Sequence, residues 1–206
     1  MLYRSYATNY ISELLLKESN TSLAEKIKEN EKMNTKLKEL SMLDELTGIS
    51  NRRGFHQYIE STLAQSRQER RLSIFMMDID AFKPYYDHYG HLQGDKVIQA
   101  VGKVLTTVVN APSSIAARFG GEEFIVAVFD LDEKAVHRLA EEIRNSVEEL
   151  RLEHDFSPVA QVVTVSIGYV TNTIMEEKTL NQLIEQADLS LYRAKEMGRN
   201  QVEGVK

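Results

Sequence analysis

A mixed β-sheet with helices packed against it, in the α/β (α+β) class, is the architecture this sequence predicts. Three observations carry that expectation. Apolar runs of strand length recur ("LSIFMMDID", "FIVAVF", "AQVVTVSIGYV"), apolar stripes of helical period lie between them, and no internal repeat is evident. The chain has 206 residues, 42% of them hydrophobic. That suits one domain of about 150 residues with an appendage.

Residues 1–43 contain neither glycine nor proline and are expected to be helical. Leu23, Ile27, Leu37, Leu40 and Leu43 stand there among alternating charges, and Asn30 and Asn34 interrupt a regular coiled-coil seam. The composition changes at "DELTGISNRRGF", whose Thr47-Gly48 and Ser50-Asn51 pairs predict turns. Beyond that boundary Phe55, Tyr58, Ile59, Thr62 and Leu63 repeat at helical spacing. "LSIFMMDID" is apolar almost throughout, as a strand buried on both faces requires. Val97, Val101, Val104 and Val108 form the next helix stripe. "SIAARF" and "FIVAVF" flank Gly120-Gly121 and predict a hairpin. An amphipathic helix over "DEKAVHRLAEEIRNSVEELRLE", the strand "AQVVTVSIGYV" and a helix over "TLNQLIEQADLSLYRAKEMGRN" complete the order.

Composition narrows the function classes. A net charge of −6 without a long basic block argues against double-stranded nucleic acid as a partner, while leaving room for a local phosphate pocket. With no cysteine, disulfides and thiolate metal sites are excluded, so any metal must take oxygen or histidine ligands. No apolar run approaches membrane-spanning length, and a soluble, cytoplasmic chain is expected.

Asp78 and Asp80 end the apolar strand in "MMDID". Two residues apart, they start on one side of the chain if the strand persists. Hard oxygen ligands of this kind suit a magnesium-like ion that also touches substrate phosphates, although a strand ending in a solvated acidic pair has the same sequence. Glu122 and Glu123 in "RFGGEEF" are equally two-sided. They are either solvated residues of a tight turn or carboxylates whose repulsion a cation offsets. Phe82 and Lys83 start a turn whose N–H groups can face an anion, with Pro84 restricting the backbone. Asp95 precedes an apolar helix and is either a favourable charge at its N-terminus or an acceptor for the Watson–Crick edge of guanine. Lys195 and Arg199, four apart on one predicted helix, either clamp phosphate or are solvated.

Six segments in order, "DELTGISNRR", "DIDAFK", "DHYGHLQGD", "RFGGEEF", "SIG" and "ADLSLYRAKEMGRN", closely resemble the GGDEF, or diguanylate cyclase, family from Asp44 to Asn200. The resemblance implies a palm-like, nucleotidyl-cyclase type of mixed five-stranded sheet surrounded by helices. It implies a nucleotidyltransferase that joins two GTP into cyclic di-GMP with release of two pyrophosphates, in a homodimer whose subunits each present one GTP. By position it gives two Mg²⁺ or Mn²⁺ ions per GTP site to Asp78, the backbone carbonyl of Ile79, and Glu122. Glu123 contributes to metal or water binding. Phe82, Lys83, Lys195 and Arg199 fall to the phosphates and Asp95 to guanine, and Glu122 or a metal-held water is the candidate base.

Two departures stand out against that family. Tyr86 occupies the position where the family usually has an asparagine on the guanine. Ala111 to Ser114, "APSS", replaces the Arg-x-x-Asp product-inhibition motif, so that primary site is expected to be absent. The resemblance also divides the chain into a helical signalling linker or remnant, residues 1–43, and a GGDEF domain, residues 44–206. A possible upstream sensor would make this the cytoplasmic part of a larger protein.

Overall fold

The computed structural model describes residues 2–65, 69–174 and 178–205. The chain divides into two units, residues 1–41 and 42–206. The first is a single 39-residue helix, α1 (Leu2–Leu40), as its freedom from glycine and proline demands. Leu15, Leu16, Leu23, Ile27, Met33 and Leu37 are each more than half exposed on it.

The second unit runs β1 (Ser50–Asn51), α2 (Arg52–Ala64), β2 (Arg70–Ile79), α3 (Phe82–Tyr89), α4 (His91–Val108), β3 (Ser114–Gly120), β4 (Glu123–Phe129), α5 (Glu133–Glu148), β5 (Val165–Ile174), α6 (Lys178–Glu196) and β6 (Val202–Val205). The strands form one sheet in the order β1-β3-β4-β2-β5-β6. β2 is antiparallel to both neighbours, β3 is antiparallel to β4, and the outer pairs β1–β3 and β5–β6 are parallel. The sheet is mixed and flanked by helices, as expected. It has six strands rather than five because the two-residue β1 and four-residue β6 extend its edges, and neither is long enough to show a period of its own.

β2 alternates between two cores. Phe75, Met77 and Ile79 join Val97, Val101, Val136 and Ile143 on the face covered by α4 and α5. Leu72, Ile74 and Met76 join Phe55, Ile59, Leu183 and Leu191 on the face covered by α2 and α6. Burial on both faces is why its sequence lacks a polar alternation. Each such aliphatic side chain contributes roughly 1.5–3 kcal/mol. Asn51 caps α2 by accepting from the Gly54 N–H, and Asp132 caps α5 by accepting from the Ala135 N–H. Gly168 of β5 lets α6 lie directly on the sheet, since a Cβ there would stand 1.9 Å from the Leu191 nitrogen.

Candidate functional site

The site begins where β2 ends. Asp78 and Asp80 do not share a side, because the strand stops at Ile79 and the chain turns. Asp80 is 1% exposed. It accepts from Thr164 Oγ1 at 2.8 Å, Ser166 Oγ at 2.6 Å and the Asn200 N–H at 3.0 Å, so it anchors the turn and does not face a cleft. Ala81 follows in the left-handed region (φ 52, ψ 35), at roughly 1–2 kcal/mol for a residue with a Cβ. Phe82 and Lys83, expected in a turn, form the first turn of α3. No side chain caps that helix. Pro84 fits there because the first-turn N–H groups have no helical partner in any case.

The β-hairpin brings the glutamates to the same end. Asp78 is directly opposite Glu123 in the antiparallel pair, and Gly121 takes φ 55 at the turn. Arg118 holds this turn, with Nε donating to the Gly121 carbonyl at 2.8 Å and Nη1 reaching both Asp44 oxygens at 3.3 Å. Burial alone would raise the Asp44 carboxyl, but hydrogen bonds from Thr47 and the Arg118 charge outweigh it and hold it below the ordinary carboxylate value.

The C-terminal end of α6 and the turn after it supply two cations. Lys195 Nζ lies 2.9 Å from Asp78 Oδ2, in a pair whose side chains are 30% and 13% exposed respectively. Arg199 is not on the helix with Lys195. α6 ends at Glu196, and Arg199 sits in the following turn at φ 64, its N–H bonded to the Ala194 carbonyl. Both cations nevertheless line one cleft of about 350 Å³ with Asp78, Ile79, Phe82, Lys83 and Glu122. Burial pushes the Asp78 carboxyl up to about 6; Lys195 opposes this, and the charges of Glu122 and Glu123 reinforce it.

Tyr86 and Asp95 form a second cluster one turn along α3. Asp95, expected ahead of an apolar helix, lies inside α4, which begins at His91. The Tyr86 hydroxyl donates to Asp95 Oδ1 at 3.3 Å. The tyrosine ring stands edge-on to Phe82 and His91, and a Cβ at Gly94 would come within 2.5 Å of its Cε2. Burial, followed by the Asp95 charge, raises the Tyr86 hydroxyl above its ordinary value and keeps it a donor.

Of the residues singled out in the sequence, Asp78, Ile79, Phe82, Lys83, Glu122, Lys195 and Arg199 meet in the cleft. Glu123 sits beside it in the sheet, and Tyr86 pairs with Asp95. Pro158 also lines the cleft, brought there by the segment between α5 and β5, where no periodic signal marks it. Among the described residues no three carboxylate or imidazole groups already converge as a closed metal site. Two carboxylates, a carbonyl and a set of cations instead suit a magnesium-like ion completed by substrate phosphates. The Lys195 ammonium against Asp78 stands where such a cation would be attracted. A larger cavity of about 570 Å³ lies between α5, β5 and β6, but its rim groups Glu133, Lys134, His137 and Arg138 are all exposed and do not converge.

Comparison with known proteins gives a consistent picture. A family model described as "Diguanylate cyclase, GGDEF domain" matches residues 41–201. The probable diguanylate cyclase DgcT of Escherichia coli (strain K12) is 38% identical over 167 residues, 80% of this chain and 36% of that protein. Diguanylate cyclase A of Treponema denticola is 35% identical over 173 residues, 82% of this chain and 46% of that protein. The chain thus spans less than half the length of these relatives. Among solved structures, the coiled coil and GGDEF domain of DgcB from Caulobacter crescentus, in complex with c-di-GMP, is 30% identical with a TM-score of 0.70, covering 90% of this chain and 98% of that one. The active GGEEF domain of a diguanylate cyclase from Vibrio cholerae is 28% identical with a TM-score of 0.62, covering 76% and 97%.

Proposed function

The chain belongs to the diguanylate cyclase GGDEF-domain family, and from that premise we propose that it condenses two GTP molecules into cyclic di-GMP and two pyrophosphates. The observation that carries the reading is the 2.9 Å pair of Asp78 and Lys195 in one cleft with Glu122, Lys83 and Arg199. Carboxylates for cations and cations for a triphosphate occupy the same space there.

Asp78, the Ile79 carbonyl and Glu122 would hold Mg²⁺ or Mn²⁺, two ions per GTP, whose chemistry when bound would be charge neutralisation and a lowered pKa for the attacking hydroxyl. Lys195 releases Asp78 as GTP enters and, with Lys83, Arg199 and the N–H groups of Phe82 and Lys83, takes the β- and γ-phosphates. Glu123, opposite Asp78 in the sheet, would add negative charge to the metal-holding end of the cleft. Asp95 accepts from guanine, while the Tyr86 hydroxyl competes for its Oδ1 and limits that reading of the base. The 3′-hydroxyl of one GTP attacks the α-phosphate of the other, pyrophosphate departs, and the second bond forms the same way. Each subunit of a homodimer presents one GTP. In this reading residues 1–43 are a linker that favours the dimer and connects to an upstream sensor, residues 44–206 are the catalytic domain, and the protein acts in the cytoplasm. No helix among the described residues is long and apolar enough to cross a membrane.

A second reading, a catalytically weak GTP or cyclic di-GMP sensor, is favoured by the Tyr86–Asp95 bond in the base subsite. Incubation with GTP and Mg²⁺ followed by mass spectrometry of the nucleotides separates the two. Cyclic di-GMP and pyrophosphate in a 1:2 ratio support the cyclase. Bound GTP with no cyclic product at high protein concentration leaves the sensor.

A further inference from the structure

We propose that His154 is a positioning residue for the turn that presents Phe82 and Lys83 to the cleft, an inference resting on the reading of that cleft as a phosphate site. His154 lies in the segment between α5 and β5. The segment folds on itself: the Val163 N–H donates to the Leu152 carbonyl at 2.8 Å and the His154 N–H to the Gln161 carbonyl at 2.9 Å. It docks on α3, where the Tyr89 hydroxyl accepts from the Asp155 N–H at 3.1 Å and the Phe156 ring stacks on His88. The His154 ring is 1% exposed and edge-on to Tyr85. Its Nε2 lies 3.0 Å from the Ala81 carbonyl, and its Nδ1 has no hydrogen-bond partner among the described residues.

The carbonyl oxygen can only accept, so Nε2 is the donor in this bond. A buried imidazole kept with one nitrogen unsatisfied needs a reason, and the other nitrogen supplies it. Ala81 is the left-handed residue that reverses the chain, and among the described residues its carbonyl otherwise receives the Tyr85 N–H at 3.3 Å. That carbonyl and the Phe82 N–H belong to one planar trans peptide and point in opposite directions. Fixing the oxygen on His154 therefore aims the Phe82 N–H away from the ring, toward the cleft that Ala81, Phe82 and Lys83 line. On the other side of Ala81, the three hydrogen bonds of Asp80 hold the chain. The strained residue is thus clamped at both ends.

The test compares His154→Gln with His154→Asn in the full chain. The glutamine amide nitrogen overlies Nε2 and keeps the donor to Ala81, whereas the asparagine amide overlies Nδ1 and loses it. Binding of inorganic pyrophosphate and of a GTP analogue lacking the 3′-hydroxyl, with Mg²⁺, is measured by calorimetry. Hydrogen exchange over residues 80–89 is followed in ligand-free protein. Asparagine is expected to weaken both ligands about tenfold or more and to speed exchange of the Tyr85 amide, with glutamine within about threefold of the parent. In turnover the asparagine loss should fall on KM rather than kcat. Equal behaviour of the two variants in binding and exchange overturns the proposal. If asparagine does not fold, glutamine decides alone, because a tenfold loss with an intact circular dichroism spectrum also overturns it. A parent protein that binds neither ligand refutes the phosphate reading instead, while the exchange comparison still reports on His154.

Discussion

In the metal-free protein Asp78→Asn should gain stability relative to the parent as the pH rises, while removing a residue assigned to the metal. In the folded chain burial holds the Asp78 carboxyl up at about 6, against 3.8 as the ordinary value. Between those two pH values the folded state binds the proton and the unfolded state does not. Stability associated with this group is therefore fully present below pH 3.8 and is lost as pH rises through 6. Over the whole interval the gap corresponds to about 3 kcal/mol, of which about 1.4 kcal/mol is lost between pH 5 and pH 8. Asparagine cannot ionise, so it escapes this loss. It leaves Lys195 without its carboxylate, but the pull of Lys195 on the ionised form is already contained in the value of about 6 and needs no separate allowance. Urea denaturation of both proteins in EDTA at pH 5 and pH 8 measures the effect. The stability of the variant relative to the parent should rise by about 1.4 kcal/mol between the two. A difference that stays flat, or moves toward the parent at pH 8, refutes the reasoning that burial dominates Asp78. Adding Mg²⁺ at a hundred times its dissociation constant should return about 2.7 kcal/mol to the parent at pH 8 and little to the variant.

Three further outcomes follow from the glycine contacts and the base subsite. Gly94→Ala drives a methyl into the Tyr86 ring and should cost roughly 1–3 kcal/mol, a cost that Tyr86→Asn relieves in a double-mutant cycle; additive costs would show that the ring moves freely. Tyr86→Asn alone should raise the GTP-over-ATP ratio of kcat/KM about tenfold by returning an amide donor and acceptor to the base subsite, and an unchanged ratio would remove Tyr86 from it. Gly168→Ala meets the backbone of α6, which cannot turn aside, and should cost more than about 3 kcal/mol in thermal or urea denaturation.

Long periodic elements were legible in the sequence, and so was the grouping of Asp78 with Glu122, Lys83, Lys195 and Arg199 through the order of motifs. Three things were not. The Asp78–Asp80 pair obeys strand alternation only while the strand lasts, and the left-handed Ala81 ends it. The stretch "FKPYYDHY" has a proline and too few residues to show a helical period, although Phe82 and Tyr85 both turn inward. His154 and Pro158 lie in an aperiodic segment whose position is set by tertiary contacts with α3. Such residues carry no local pattern, because what places them is distant in the chain.

The bond from the Asn200 N–H to Asp80 spans 120 residues and has a consequence for how the protein is made. At 5–20 residues per second, a ribosome takes about 6 to 24 s to synthesise that interval. Throughout it the nascent β2 has neither Lys195 for Asp78 nor Asn200 for Asp80. A chain stalled near residue 190 therefore holds Asp78 without its ammonium partner and Asp80 with Thr164 and Ser166 but without the Asn200 N–H. Residues 195–200 thus act as a latch on the turn after β2, and synthesis interrupted just before them leaves that turn unfastened.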